Sequence, residues 1–205
     1  MPGIPLQADA FVLLKRPASD SFQGFNVFSA EHGGLLVHQR ISKKAASSTV
    51  ALDLFDEVSL RLESSNQGQT WFVQEARLVT RHAELGRSYE TLRHASDLAA
   101  LVARNMVHED SRAQVAALLR QALASFASGA RPDLIGFKSL YLFARDEGYP
   151  VKQQWFPTLP AEDRADVATL LNRPLAEQTA AIPVVTRLRA RLEEYLRGHT
   201  EILFD

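Results

Sequence analysis

The sequence predicts an α+β protein: a small all-β domain over residues 1–82, followed by an all-α domain over residues 83–205. Two observations predict it. Apolar residues recur every second position up to about His82 and every three to four positions after it. Gly, Pro, Ser and Asn cluster between short segments in the first part, where turns are needed. A chain of 205 residues is long enough to bury a core in each part.

The first part reads as five strands. Ala10–Lys15 is apolar and stops at Pro17; Phe22–Ser29 runs into Glu31-His32-Gly33-Gly34, a turn signal. Leu35–Ile41 alternates, with Leu35, Val37 and Ile41 opposite Leu36, His38 and Arg40. After a polar, Ser- and Lys-rich stretch, Leu54–Glu63 alternates again, and Ser64–Gly68 reads as a hairpin loop into Trp71–Val79. Five short strands leave long open edges unless they close, so the pattern points to a small barrel of the OB type.

The second part reads as helices. Tyr89, Leu92, Ala95, Ala99, Val102 and Met106 define one apolar face. Ser111 is placed to cap a helix with the stripe Val115, Leu118, Leu119, Ala122 and Phe126, closed by Gly129. Pro132 opens a third helix with Leu134, Phe137, Leu140, Tyr141 and Ala144 inward. Trp155–Pro160 reads as irregular, Glu162–Leu171 as a short helix, and the last helix opens near Pro183 with Leu188, Leu192 and Leu196 inward.

Composition excludes more than it selects. Cysteine is absent, so disulfides and thiolate metal sites are excluded, and a bacterial-type cytosol is the expected setting. No apolar run approaches the roughly 20 residues of a membrane span, and the first residues lack the basic head and apolar stretch of a signal peptide. No phosphate loop, dinucleotide fingerprint or histidine metal spacing occurs, and no catalytic residue, metal or cofactor is expected. His94 and Asp97 read as a solvated i, i+3 pair.

With 23 basic and 24 acidic residues the net charge is −1, and both parts are close to neutral: 8 basic against 8 acidic, then 15 against 16. Phosphate binding depends on local potential rather than on that sum. No acid occurs between Glu31 and Asp53, a stretch that holds Arg40, Lys43 and Lys44 with His32 and His38. Lys15 and Arg16 end the first strand, and Arg77 and Arg81 extend the candidate cation path. Trp71 or Phe25 is the candidate for stacking a base, while the competing reading places Phe11, Phe25, Phe28 and Phe72 in the core. A second cluster, centred on Arg187 and Arg191 at i, i+4, suits capture of an acidic peptide tail.

The segment Phe11–Pro17, the run Phe28-Ser29-Ala30-Glu31-His32-Gly33, and the basic Ser-rich loop before Leu52-Asp53-Leu54-Phe55 resemble the N-terminal domain of the RecO family of bacterial recombination mediators. Leu92–Val102, Phe137 to Gly148-Tyr149-Pro150, and Leu188–His199 are similar to its helical part, in the same order. The resemblance implies an OB fold with a helical domain and a non-enzymatic protein of DNA repair and recombination. It implies binding of single- and double-stranded DNA, strand annealing, and contact with the acidic C-terminal tail of single-strand-binding protein. It further implies action with RecR to load RecA, in the bacterial cytoplasm at the nucleoid. Lys15, Arg16, Arg40, Lys43 and Lys44 match the family's basic strand ends and loop. Two departures stand out: the four-cysteine zinc cassette of many members is absent, and Gln39-Arg40-Ile41 replaces the usual Lys-Gly before the loop.

Two other readings compete. In one, the chain is a protein-interaction module whose OB-type domain binds DNA weakly or not at all, as the neutral charge suggests. In the other it is a hydrolase or nuclease, which the scattered acids disfavour.

Overall fold

The computed structural model describes residues 3–41, 50–64 and 67–204. Lys43 and Lys44 lie outside the described residues. The chain divides into two units, residues 1–82 with 106–116, and residues 83–105 with 117–205.

The first unit holds a closed barrel of five strands: β1 (Ile4–Lys15), β2 (Phe22–Ser29), β3 (Gly33–Arg40), β4 (Glu57–Ser64) and β5 (Trp71–Thr80). Their order around the barrel is β1-β2-β3-β5-β4. β3 and β5 pair in parallel, and every other neighbouring pair is antiparallel. The sequence therefore folds, as its alternation predicts, into an OB-like barrel.

β1 begins six residues earlier than expected. Pro5, Gln7 and Asp9 blur its pattern, but β4 pairs it continuously from Ile4↔Ser64 to Phe11↔Glu57. Long-range pairing here outweighs weak local propensity. β4 conversely starts at Glu57 rather than Leu54. Residues 53–56 fold into a turn in which Asp53 N donates to Asp56 Oδ2 at 2.9 Å and Phe55 sits at φ 66°. The β2–β3 turn needs Gly33: its φ is +70°, and a Cβ there would meet Arg112 Nε at 3.0 Å.

Alternation fills the barrel. Val12, Phe25, Val27, Val37, Val58, Leu60, Leu62, Trp71 and Ala76 form the interior, with Leu6, Leu35, Val73 and Leu78 packed at its margin. Phe11 and Phe28, cross-strand partners, are also buried but stand outside that interior set.

The second unit is helical; the segment 106–116, with the start of the helix that follows it, belongs to the first. α1 (Tyr89–Arg104) is capped by Ser88, whose hydroxyl accepts from Thr91 N. α2 (Arg112–Ala127) buries the predicted stripe from Val115 to Phe126. Ser111 precedes it in a 3-10 turn, where its hydroxyl donates to His108 O. α3 (Pro132–Asp146) packs against α1 and against α6 (Ile182–His199). Between α3 and α5 (Ala161–Asn172) the chain is helical rather than irregular. A π-helical turn over Val151–Trp155 leads into α4 (Phe156–Thr158), with Trp155 buried beside Tyr141. Pro157 does not prevent this, because the first turn of a helix has no use for its missing N–H.

The expected α1 face is buried in part: Ala95, Ala99 and Val102 are inward as predicted. Tyr89 and Met106 are 75% and 93% exposed, and Leu92 is also exposed. The buried stripe runs through Thr91, His94, Ala95, Leu98, Ala99, Leu101 and Val102. Two polar residues, Thr91 and His94, thus join the inward face, which the periodicity of apolar residues alone gives only in part.

Replacing Leu60, fully buried in the barrel, by Ala will cost about 3 kcal/mol in urea denaturation. Val79→Ala, at a 56% exposed outward position, will cost less than about 0.5 kcal/mol.

Candidate nucleic-acid interface

Barrel closure sorts the predicted site residues by parity. Phe25, Val37 and Trp71 are register partners across β2, β3 and β5, and all three point inward. The next positions therefore point outward: Gly24 opposite His38, His38 opposite Phe72, and Phe22 opposite Arg40. Trp71 and Phe25 are buried in the core, so neither offers a face to a base. Phe72, expected in the core, is half-buried on the outer face.

Phe22 and Phe72 meet edge to face, with centroids 5.4 Å apart and planes at 69°. His38 lies 5.8 Å from Phe72 at 35°. Beside this cluster, Arg16 N donates to Gly24 O at 2.9 Å and Arg16 Nε donates to Asn26 Oδ1 at 2.7 Å. The Gln23 amide donates to Arg16 O. One outer face of the barrel thus carries Arg16, then His38, Phe72 and Phe22, then Arg40. Arg16 and Arg40 are exposed, as is Lys15 at the end of β1, and among the described residues none of the three forms an ion pair.

The other predicted cations behave differently. Arg77 is exposed opposite Ser59, five residues along β5 from Phe72, or about 17 Å away. Arg81 grips the fully buried Asp56 with two nitrogens, at 2.8 and 2.5 Å, and donates to Ala51 O. Asp56 raises the Arg81 pKa, chiefly through that hydrogen bond. Arg81 therefore ties β5 to the turn before β4 rather than extending a cation path. Arg187 and Arg191 converge on the buried Asp163 of α5, at 2.8 and 3.0 Å, and brace α6 against α5.

The helical unit holds a second arrangement. A cavity of about 1290 Å³ opens between α1, α3 and α6, with apolar walls from Leu98, Leu140 and Val185. Five arginines (93, 104, 131, 189 and 197) and four acids (Glu90, Asp97, Asp133 and Glu193) line it. His94 is buried at its wall rather than solvated. Arg189 Nη1 lies 2.7 Å from His94 Nδ1 and Arg93 Nη2 lies 3.1 Å from Nε2. Asp97 pairs not with His94 but with Arg189, at 3.1 Å, and with Arg93, at 3.8 Å. Gly136 makes the approach feasible, since a Cβ there would sit 2.8 Å from His94 Nδ1 and 3.2 Å from Arg189 Nη1.

Sequence reasoning found the cations Arg16 and Arg40 but missed Phe22 and Phe72 as outward aromatics. The signal for them was parity: once Trp71 is inward, Phe72 must be outward. Arg189, the centre of the helical network, lies between Arg187 and Arg191 but pairs with Glu193 on its own helix and with residues of α1. Among the described residues no group of three His, Asp or Glu side chains is placed to hold a metal ion, and no helix is long and apolar enough to cross a membrane. The chain matches no protein-family model and no curated protein.

Arg81→Met will destabilise the protein by about 2 kcal/mol in urea denaturation, because it leaves Asp56 buried without its partner. A pH dependence follows from His94. Burial first, then Arg189 and Arg93, hold its pKa below the ordinary 6.5, against the pull of Asp97 and Glu90. The unfolded chain takes up this proton near pH 6.5 and the folded chain does not, so the stability held above that pH is lost as pH falls below it. Denaturation midpoints measured between pH 7.5 and pH 5, with His94→Gln as control, will show an acid loss in the wild type that is smaller in the variant.

Proposed function

We propose that this chain is a non-enzymatic DNA-binding mediator of repair and recombination that holds single-stranded DNA on the outer face of its barrel. The observation that carries this reading is the pair Arg16 and Arg40, exposed and without ion pairs among the described residues, at the two ends of one face. OB-type barrels use this kind of strand surface for oligonucleotides, and unpaired cations there neutralise phosphates. Lys15 extends the cationic end beside Arg16, and Lys43 and Lys44 follow Arg40 in the sequence. The resemblance to the RecO family supplies the rest of the proposal: annealing of complementary strands, binding of duplex DNA, and action with single-strand-binding protein and RecR ahead of RecA, at the bacterial nucleoid.

The cavity of the helical unit favours a second reading, a protein-interaction module. Its apolar floor and five arginines suit an acidic peptide that ends in an apolar side chain, such as the tail of single-strand-binding protein. Arg93, Arg131 and Arg189 are paired with acids of the cavity, as Arg187 and Arg191 are with Asp163. A tail would enter by exchanging those partners, and the cavity is preferred for its size and apolar floor. The two readings are compatible in one chain; if the barrel lacks DNA affinity, only the second remains.

The test is fluorescence anisotropy of a labelled single-stranded oligonucleotide at several salt concentrations. Wild-type affinity will fall steeply with salt. Arg16→Ala/Arg40→Ala will bind more weakly, and its slope of log affinity against log salt will be shallower by about 0.7 for each phosphate that is no longer neutralised. Lys43→Glu/Lys44→Glu will weaken binding in the same assay. Salt-insensitive binding, or none at low salt, would leave the interaction module as the function.

A further inference from the structure

We infer that Phe22, His38 and Phe72 form a stacking platform for the bases of single-stranded DNA, with the phosphates on either side taken by Arg16 and Arg40. This deepens the DNA-binding reading above and rests on it.

The barrel has already used its aromatic side chains where a core needs them. Phe25 and Trp71 fill the interior, and Phe28 is buried. Phe22 and Phe72 have no such duty, yet strand register puts both on an outward face, half-buried, on strands that flank β3. Phe72 lies within 6 Å of both the Phe22 ring and the His38 imidazole, at 5.4 and 5.8 Å between centroids, and joins them into one aromatic surface. An edge-to-face pair covers one face of one ring at most, so ring faces remain for a ligand.

The surroundings select the ligand. Cations stand at both ends, and the acid in register with the cluster, Glu63 of β4 opposite Phe72, carries its carboxylate beside Gly3. A peptide partner with an apolar side chain would use the rings but not both arginines. A nucleotide strand uses both, because each base carries a π-face and each linkage an anion. Gly24 keeps the space between Arg16 and His38 clear: a Cβ would already stand 3.5 Å from both side chains, and a longer one would cover the imidazole. Bases are available for stacking only when unpaired. The platform therefore gives the barrel a preference for single strands that its cations alone would lack.

The experiment compares a labelled oligo(dT) with an abasic oligonucleotide of equal length, which keeps the phosphates and removes the bases. Wild-type protein will bind oligo(dT) roughly tenfold more tightly, as expected for one stacked base. Phe22→Leu and Phe72→Leu keep apolar bulk at these positions. Both will lose most of that difference, while their salt slopes and thermal midpoints stay near those of the wild type. In a Phe72→Trp variant, the added indole fluorescence will fall on binding oligo(dT) and not the abasic strand. Equal wild-type affinity for the two oligonucleotides, with steep salt dependence, would overturn the platform while leaving phosphate binding in place. Absence of binding to either at low salt would overturn both. A preference for oligo(dT) that survives both Leu substitutions would place stacking elsewhere and overturn the assignment to these residues.

Discussion

Closure of the barrel through β1 is the constraint on which the rest of the first unit depends. This strand pairs with β4 along its first part and with β2 along its second, and Ala10 and Phe11 have partners on both sides. An irregularity between Val12 and Leu14 lets one strand bend from one neighbour to the other. The segment before β4 locks the bend: Val12 N donates to Asp56 O and Phe55 N to Val12 O, both at 2.9 Å. Arg81 then fixes Asp56. Once the sheet is closed, every side chain is assigned to the interior or the exterior by its place in the alternation, and the residues of the outer face follow.

How much of this was legible in the sequence depends on which physical rule governed each residue. β2 and β5 were readable because their alternation is local, and they begin where the pattern begins. The first half of β1 was not, because its pairing with β4 joins residues more than fifty positions apart. The cations Arg16 and Arg40 were readable as charges next to turns. Their aromatic companions were misassigned because residue type was weighed above parity: Trp71 attracts attention as a surface stacker, and it is the smaller Phe72 that faces out.

Ion-pair partners were the least legible feature. Arg81 and Arg187 each have a carboxylate partner about 25 positions away, and Arg189 reaches almost the full length of the unit to α1. Spacing within a helix says which residues share a face, not what stands opposite. The same limit explains α1. An inward His94 breaks an apolar count, yet it is compatible with burial because Arg189 and Arg93 engage its ring nitrogens. A near-neutral sum of charges likewise hid an uneven distribution, in which arginines of the helical unit are matched by acids and several of the barrel are not.

Gly136 has a consequence beyond its own position. Its bare backbone is the point at which a side chain from α1 and another from α6 meet over α3. Three sites far apart in the chain therefore behave as one unit of variation, since enlarging the glycine excludes the imidazole, and losing the imidazole removes the reason for the gap. This glycine–histidine–arginine triplet is thus disturbed as a whole by a substitution at any one of its members. It is also the combination to carry over intact if the domain is redesigned or joined to another barrel.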